Sequence, residues 1–361
     1  MTDNRKKILE IRDLRISFRT QQGKLNAIRG VNVDLYKGET LAIVGESGSG
    51  KSVTSRAIIG ILAKNSIHDG GTIKYYDEDA LVSKDAQYVD LMQIEEDDFH
   101  KLRGTKISMI FQDPMSSLNP IMKVGTQISE ALYLKMGMTK PEAKARALEL
   151  MEEVGIPEPE KRFYQYPFQF SGGMRQRIVI AIALANDAEI LICDEPTTAL
   201  DVTIQAQILE LINKIKVERN LTILFITHDL GVVANMADRV AVMYAGQIVE
   251  IGNVDEIYYD PRHPYTWALL SAMPDLDTDE KLFAIPGTPP DLHFPPAGDA
   301  FAPRNHYALE IDYEQEPPVF QISDTHFAKT WLEHEYAPKV EKPSAVIRRM
   351  ERHKKVLEAN K

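Results

Sequence analysis

Gly45-Glu46-Ser47-Gly48-Ser49-Gly50-Lys51-Ser52 decides how the rest of the chain is read. It fits G-x-x-x-x-G-K-[ST], the spacing of a phosphate-cradling P-loop. Upstream, Thr40-Leu41-Ala42-Ile43-Val44 is short, apolar and β-branched, as in a strand buried within a parallel sheet. Downstream, Val53 to Leu62 carries apolar residues at helical spacing. The glycines therefore sit at a strand-to-helix turn. There they let the backbone bend sharply and aim N–H groups inward, beside the positive end of the next helix. In this reading Gly45, Ser47, Gly48 and Gly50 form the cradle and Lys51 reaches the β- and γ-phosphates. The Ser52 hydroxyl binds Mg²⁺. The competing reading, a Gly/Ser-rich turn that happens to end in Lys-Ser, does not account for the flanking strand and helix.

A cradle alone says only "nucleotide". Ala188-Glu189-Ile190-Leu191-Ile192-Cys193 reads as a buried strand that ends in Asp194-Glu195. An acid at that place holds Mg²⁺ in nucleotide hydrolases, and Asp194 supplies it. Glu195, one residue on, is placed to orient and deprotonate an attacking water, which favours an ATPase over a mere binder. Gln112 follows the strand Lys106–Phe111, and His228 follows Leu221–Ile226. Both sit just past strand ends, where open α/β sheets carry their chemistry. Gln112 is assigned to Mg²⁺ and the water, His228 to the γ-phosphate. Taken singly, each has a plainer reading, a capping glutamine and a satisfied core histidine.

Strands and helices alternate across the remaining chain, which predicts a mostly parallel, covered sheet. Ile8 to Phe18 alternates apolar and polar residues and reads as an edge strand, followed by a turn at Gln21–Lys24 and a second strand, Asn26–Leu35. Phe18 is the aromatic in this hairpin best placed to approach the loop. Residues 77–98 hold Asp77, Glu78, Asp79, Asp85 and Glu95-Glu96-Asp97-Asp98, and read as a solvated acidic insertion. Val124 to Val154 is helical in period and forms a separate block, and a further helix follows Ser171-Gly172-Gly173. Val240–Tyr244 and Gln247–Ile251 read as strands joined at Ala245-Gly246. Beyond residue 260 the composition shifts: thirteen of the 20 prolines lie there and only Gly287 and Gly298 of the 20 glycines. A basic helix candidate, Lys342–Lys361, closes the chain and has the charge to touch anionic lipid or a partner.

Composition sets outer limits. With 361 residues the chain is long enough for two or three domains, and no internal repeat is evident. No run of 18 or more apolar residues occurs, and the N-terminus leads into no hydrophobic signal core. One cysteine, Cys193, leaves no internal disulfide and no cysteine-built metal site, which suits a reducing, cytoplasmic setting. The net charge of −11 argues against a general nucleic-acid binder.

Ser171-Gly172-Gly173-Met174-Arg175-Gln176-Arg177 resembles the signature of ABC-type ATPases. Ala199-Leu200-Asp201 resembles their D-loop, Gln112 their Q-loop glutamine and His228 their switch histidine, all in the family's order. The resemblance implies an α/β cassette: a RecA-like core, an antiparallel β subdomain and a helical subdomain at about 115–180. The cassette is expected over 1–255 and a Pro-rich extension with the basic terminal helix over 256–361. It also implies a head-to-tail dimer closing on two ATPs, in which Ser171, Gly172, Gly173 and Asp201 face nucleotide held by the other subunit's P-loop. Phe18 matches the position where the family stacks an aromatic ring on adenine. Phe111-Gln112-Asp113-Pro114-Met115-Ser116-Ser117-Leu118-Asn119-Pro120, His263-Pro264-Tyr265-Thr266, Ile285–Pro290 and Phe301-Ala302-Pro303-Arg304 are similar to the oligopeptide and dipeptide permease branch. Phe170–Arg177 resembles its D-type subunit. The likeness covers about residues 8–330.

What the branch implies is an ATPase for peptide import on the cytoplasmic face of the membrane. Its partners would be a second ATPase subunit, two transmembrane permeases and a peptide-binding lipoprotein; import of nickel or another small solute is the alternative within the branch. Cassettes that serve DNA repair or translation would need a long coiled-coil insertion or a second cassette. A non-hydrolysing regulatory subunit would typically lack Glu195. Many relatives carry four cysteines in the extension, ligating an iron–sulfur cluster. The corresponding residues here are Asp299, Asn305, Asp312 and Thr330. Such clusters require thiolate ligands, so none is expected.

Overall fold

The computed structural model describes residues 5–79, 81–82, 87–198, 200–273 and 284–359. Asp85 of the acidic stretch and Ala199 of the D-loop lie outside the described residues, as do the ends of the chain. The chain opens with a long antiparallel hairpin, β1 (Lys7–Thr20) and β2 (Gly23–Tyr36), then enters β3 (Thr40–Val44), the glycine loop and α1 (Lys51–Ile58). β4 (Ser66–Tyr75) returns to the hairpin and β5 (Val89–Asp90) follows, giving a sheet ordered β2-β1-β4-β5. β1 is therefore not an edge strand: it pairs with β2 on one side and β4 on the other. Alternation reports which face is buried and is silent about how many neighbours a strand has.

The acidic stretch is only partly the solvated insertion expected. Glu95, Glu96 and Asp97 are exposed, but Val89, Leu91, Phe99 and Leu102 are buried in the core under this sheet. Helix α2 (Glu96–Leu102) carries Glu96, Asp97 and Asp98 in its first turn, where the helix dipole favours acids. The charges masked these apolar residues.

β6 (Ile107–Ile110) leads into a helical block: α3 (Pro114–Ser117), α4 (Val124–Lys135), α5 (Lys140–Glu153), α6 (Pro159–Arg162) and α7 (Gly172–Leu184). The periodic stretch 124–154 is two helices, not one. Gly137 takes a left-handed φ of 66°, and the Glu142 carboxylate reaches back to the Thr139 N–H at 2.8 Å to start α5. The chain then runs through β7 (Ile190–Asp194), α8 (Val202–Arg219), β8 (Thr222–Thr227), α9 (Leu230–Met236), β9 (Arg239–Tyr244) and β10 (Gln247–Asn253). β9 and β10 join through Ala245 and Gly246, with φ of 46° and 80°, as a two-residue hairpin requires.

The second sheet is ordered β11-β12-β10-β9-β3-β8-β7-β6. β9, β3, β8, β7 and β6 are mutually parallel, and every residue of the five is buried. That is why they read as nearly continuous apolar runs. The switch to antiparallel pairing comes at β10. The C-terminal region adds α10 (Val254–Tyr259), α11 (Pro264–Ser271), α12 (Glu310–Glu314), β11 (Phe320–Gln321), β12 (Phe327–Ala328) and α13 (Ser344–Ala359). β12 pairs with β10, and Tyr265, Trp267, Ala300 and Phe301 share one core with Ala42, Val44 and Val242 of the parallel sheet. The basic helix α13 is seated on this region by buried Val346 and by His353 stacked on Tyr259 at 3.9 Å.

The residues at the four cysteine positions act as local caps. Asp299 Oδ1 accepts from Phe301 N–H at 3.0 Å, Asn305 Oδ1 from Tyr307 N–H at 2.9 Å, Asp312 Oδ2 from Leu309 N–H at 2.7 Å and Thr330 Oγ1 from Leu332 N–H at 3.3 Å. All four are buried. Each satisfies a backbone donor that the irregular, proline-rich chain leaves without a helix or ladder partner.

Candidate active site

The loop between β3 and α1 needs its glycines for space as well as for turning. A Cβ on Gly45, at φ 156°, would lie 2.1 Å from the Met243 carbonyl oxygen; one on Gly50, at φ 108°, would lie 2.8 Å from Ile28 and from Met243. Gly48 takes φ 80° with open space around it. Lys51 Nζ folds back onto the loop, donating to Gly45 O at 2.7 Å and Glu46 O at 2.9 Å. A phosphate bound at this loop would compete for the same ammonium protons. Burial pushes the Lys51 pKa down, resisted by Glu195, Asp194 and Glu46. Ser47 is exposed at the rim, while the Ser49 hydroxyl is buried without a partner.

At the end of β7 the two acids have different surroundings. Asp194 is buried and accepts from Ser52 Oγ at 2.9 Å. Burial foremost raises its pKa, aided by the Glu195 charge and opposed by the Ser52 hydrogen bond, Arg56 and Lys51. A hydroxyl and a carboxylate side by side are hard oxygen donors of the kind that hold Mg²⁺ together with phosphate oxygens. Glu195 adopts φ 48°, a strained value for a glutamate. Its Oε2 accepts from Gln112 Nε2 at 3.0 Å and from Thr198 Oγ1 at 2.9 Å, and its Oε1 lies 3.4 Å from His228 Nδ1. Gln112 and His228 arrive from the ends of β6 and β8, the strands on either side of β7. The parallel sheet thus brings the ends of three strands together at one carboxylate.

The signature residues form a second group. Ser171 caps α7, accepting from Met174 N–H at 3.4 Å. A Cβ on Gly173 would meet Ile204 at 2.5 Å, and one on Gly172 would meet Leu200 at 3.6 Å. Asp201 caps α8 by accepting from Ile204 N–H at 3.0 Å, so the start of α7 and the start of α8 are packed together. Among the described residues, no hydrogen bond or ion pair joins this group to the P-loop. Phe18 lies partly buried on β1 across from Leu25 and Ser66, and makes none of the site's hydrogen bonds.

Thr198 and Glu46 were not singled out in the sequence. The Pro196-Thr197-Thr198 turn after Asp-Glu was the available signal for Thr198; nothing local marks Glu46. Two cavities of about 450 and 470 Å³ lie elsewhere, one beside Tyr36, Arg239 and Val249, the other in a groove beside Phe111, Leu134 and Val179.

Sheet, cradle and paired carboxylates together define a P-loop ATPase of the cassette type. Residues 28–198 match the family model described as ABC transporter, and residues 249–311 match that described as oligopeptide/dipeptide transporter, C-terminal region. The oligopeptide transport ATP-binding protein OppD of Bacillus subtilis is 60% identical over 346 residues, 95% of this chain and 94% of that protein. The dipeptide transport ATP-binding protein DppD of Lactococcus lactis is 55% identical, covering 96% of this chain and 97% of that one. Among solved structures, a dimeric post-hydrolysis state of the ATP-binding cassette MJ0796, bound to ADP and Pi, aligns with a TM-score of 0.58 at 26% identity, over 68% of this chain and 98% of that chain. The chain belongs to the ATP-binding subunits of the oligopeptide/dipeptide branch of ABC transporters. Among its described residues no helix is long and apolar enough to cross a membrane.

Proposed function

We propose that this subunit hydrolyses ATP to drive import of oligopeptides or dipeptides, bound to the cytoplasmic face of the membrane beneath two permease subunits. The observation that carries this reading is the convergence of Ser52 on Asp194 and of Gln112, Thr198 and His228 on Glu195. Lys51 and the loop's N–H groups bind the phosphates. Ser52, Asp194 and Gln112 would hold Mg²⁺, which supplies charge neutralisation on the β- and γ-oxygens when bound. Glu195 takes a proton from the attacking water, Gln112 and Thr198 hold that carboxylate in place, and His228 hydrogen-bonds the γ-phosphate. Phe18 stacks on adenine.

Ser171, Gly172, Gly173 and Asp201 serve ATP bound to a second, distinct ATPase subunit, and a lipoprotein receptor delivers the peptide. The relatives' peptide names and the C-terminal family match support peptides over nickel. The division into a cassette, 1–255, and an extension, 256–361, belongs to the same reading. So does the absence of an iron–sulfur cluster, since the four candidate positions carry caps of backbone N–H groups; an iron assay on the pure protein tests it. For the ATP site, Lys51→Ala should abolish MgATP binding by the full-length chain and peptide uptake by the assembled transporter. Uptake that survives Lys51→Ala contradicts the reading.

A further inference from the structure

The P-loop is braced from outside by the C-terminal region. Glu46, its second residue, donates its N–H to the Tyr265 hydroxyl at 2.8 Å. The Glu46 carboxylate takes both ends of the Arg304 guanidinium, at 2.6 and 3.0 Å. Arg304 is fixed in turn: Nε donates to Pro286 O at 2.8 Å and Nη1 to the Tyr244 hydroxyl at 3.1 Å. Its guanidinium lies 5.8 and 5.9 Å from the rings of Tyr244 and Phe301, and its side chain is only 5% exposed. The Glu46 hydrogen bonds foremost raise the Arg304 pKa against its burial, so the cation is permanent. A forked arginine–carboxylate pair of this kind fixes geometry as well as charge.

We propose that Arg304 and Tyr265 are positioning residues of the ATP site. They hold the backbone at Glu46 and neutralise its carboxylate, so the loop receives phosphates pre-formed and without a bare negative charge inside it. Preorganisation lowers the ordering cost of binding, and an unpaired carboxylate within the loop repels the triphosphate. Pro286, Arg304 and Tyr265 all lie in stretches that set the branch apart, so the C-terminal region is built into the nucleotide site. The inference rests on the loop being an ATP cradle.

The test is the MgATP dissociation constant of the full-length chain, read beside its nucleotide-free melting temperature and the KM and kcat of the assembled transporter. Arg304→Ala should weaken MgATP about tenfold, the size of one lost charge-assisted pair, and raise KM more than it lowers kcat. Arg304→Lys should recover part of that loss, since it keeps the charge but not the fork. Adding Glu46→Gln to Arg304→Ala should recover most of it by removing the exposed charge. Tyr265→Phe, nearly isosteric, should weaken MgATP several-fold. Dissociation constants within twofold of wild type in Arg304→Ala and Tyr265→Phe, with only the melting temperature lowered, overturn the proposal. Should Arg304→Ala fail to fold, Arg304→Lys and Tyr265→Phe decide by the same threshold. A wild-type chain that binds no MgATP overturns the reading of the loop itself; wild-type binding with unaltered variants overturns only the brace.

Discussion

Gly45 shows how much a single residue carries. Its Cβ position is occupied by the Met243 carbonyl oxygen at 2.1 Å and its φ is 156°, so any side chain forces β3 and β9 apart at the cradle. Gly45→Ala should cost about 1–3 kcal/mol in backbone strain alone, seen as a lowered melting temperature together with lost MgATP binding. Normal binding in that variant would mean the loop is not held by β9. Ser52→Ala removes the hydroxyl that Asp194 accepts from. The proposal expects it to raise the Mg²⁺ concentration needed for half-maximal turnover by at least about tenfold; an unchanged Mg²⁺ dependence would remove Ser52 as a ligand. Spacing made the cradle and the Asp-Glu step legible, because G-x-x-x-x-G-K-S is local and its flanking strand and helix are short-range. Arg304 and Glu46 are 258 residues apart. No pattern in a single sequence joins two such positions.

Elements tell a similar story. The five parallel strands were legible because burial on both faces leaves a nearly continuous apolar run. The neighbours of β1, the break before α5 and the buried side of the acidic stretch were not, since each depends on pairing or packing at a distance. Helix α11 carries its own pH signature. His263 caps it, Nδ1 accepting from Tyr265 N–H at 3.0 Å, and burial foremost pushes the imidazole pKa down to about 3. Facing it, Asp299 Oδ2 lies 4.0 Å from His263 Nε2, and burial raises that carboxyl to about 6. Between about pH 6.5 and 3 the unfolded chain protonates His263 and the folded chain does not, so this residue makes stability fall as pH falls. Asp299 works oppositely between about 6 and 3.8, where the folded chain holds the extra proton. His263→Asn keeps an oxygen for the cap and leaves only the Asp299 slope. Its melting temperature relative to wild type should rise as pH drops from 6.5 to 4, by about 1.4 kcal/mol of stability per pH unit. A pH-independent difference would mean His263 is not held neutral.

At the scale of the molecule, the two proposed halves of the chemistry are carried apart. The P-loop and Glu195 form one group and the starts of α7 and α8 another, and the proposal joins them across subunits. Gly173 is the hinge of that claim: a Cβ there meets Ile204 at 2.5 Å, so Gly173→Val pushes α7 away from α8. Its own MgATP affinity should stay within about twofold while turnover of the assembled transporter falls about a hundredfold, the scale of a lost transition-state donor. Equal loss of both would mean the signature serves its own P-loop. The C-terminal region, by contrast, is woven into the sheet through β12 and into the cradle through Arg304. Its proline-rich composition marked irregular backbone and said nothing about where that backbone packs.

The most direct measurement is steady-state ATP hydrolysis by the assembled transporter carrying Glu195→Gln, read beside MgATP binding by the same subunit. The account predicts binding within about twofold of wild type and turnover at this site reduced at least about a hundredfold, the scale of a missing general base. Hydrolysis at the wild-type rate, with Gln112 and His228 intact, would contradict it.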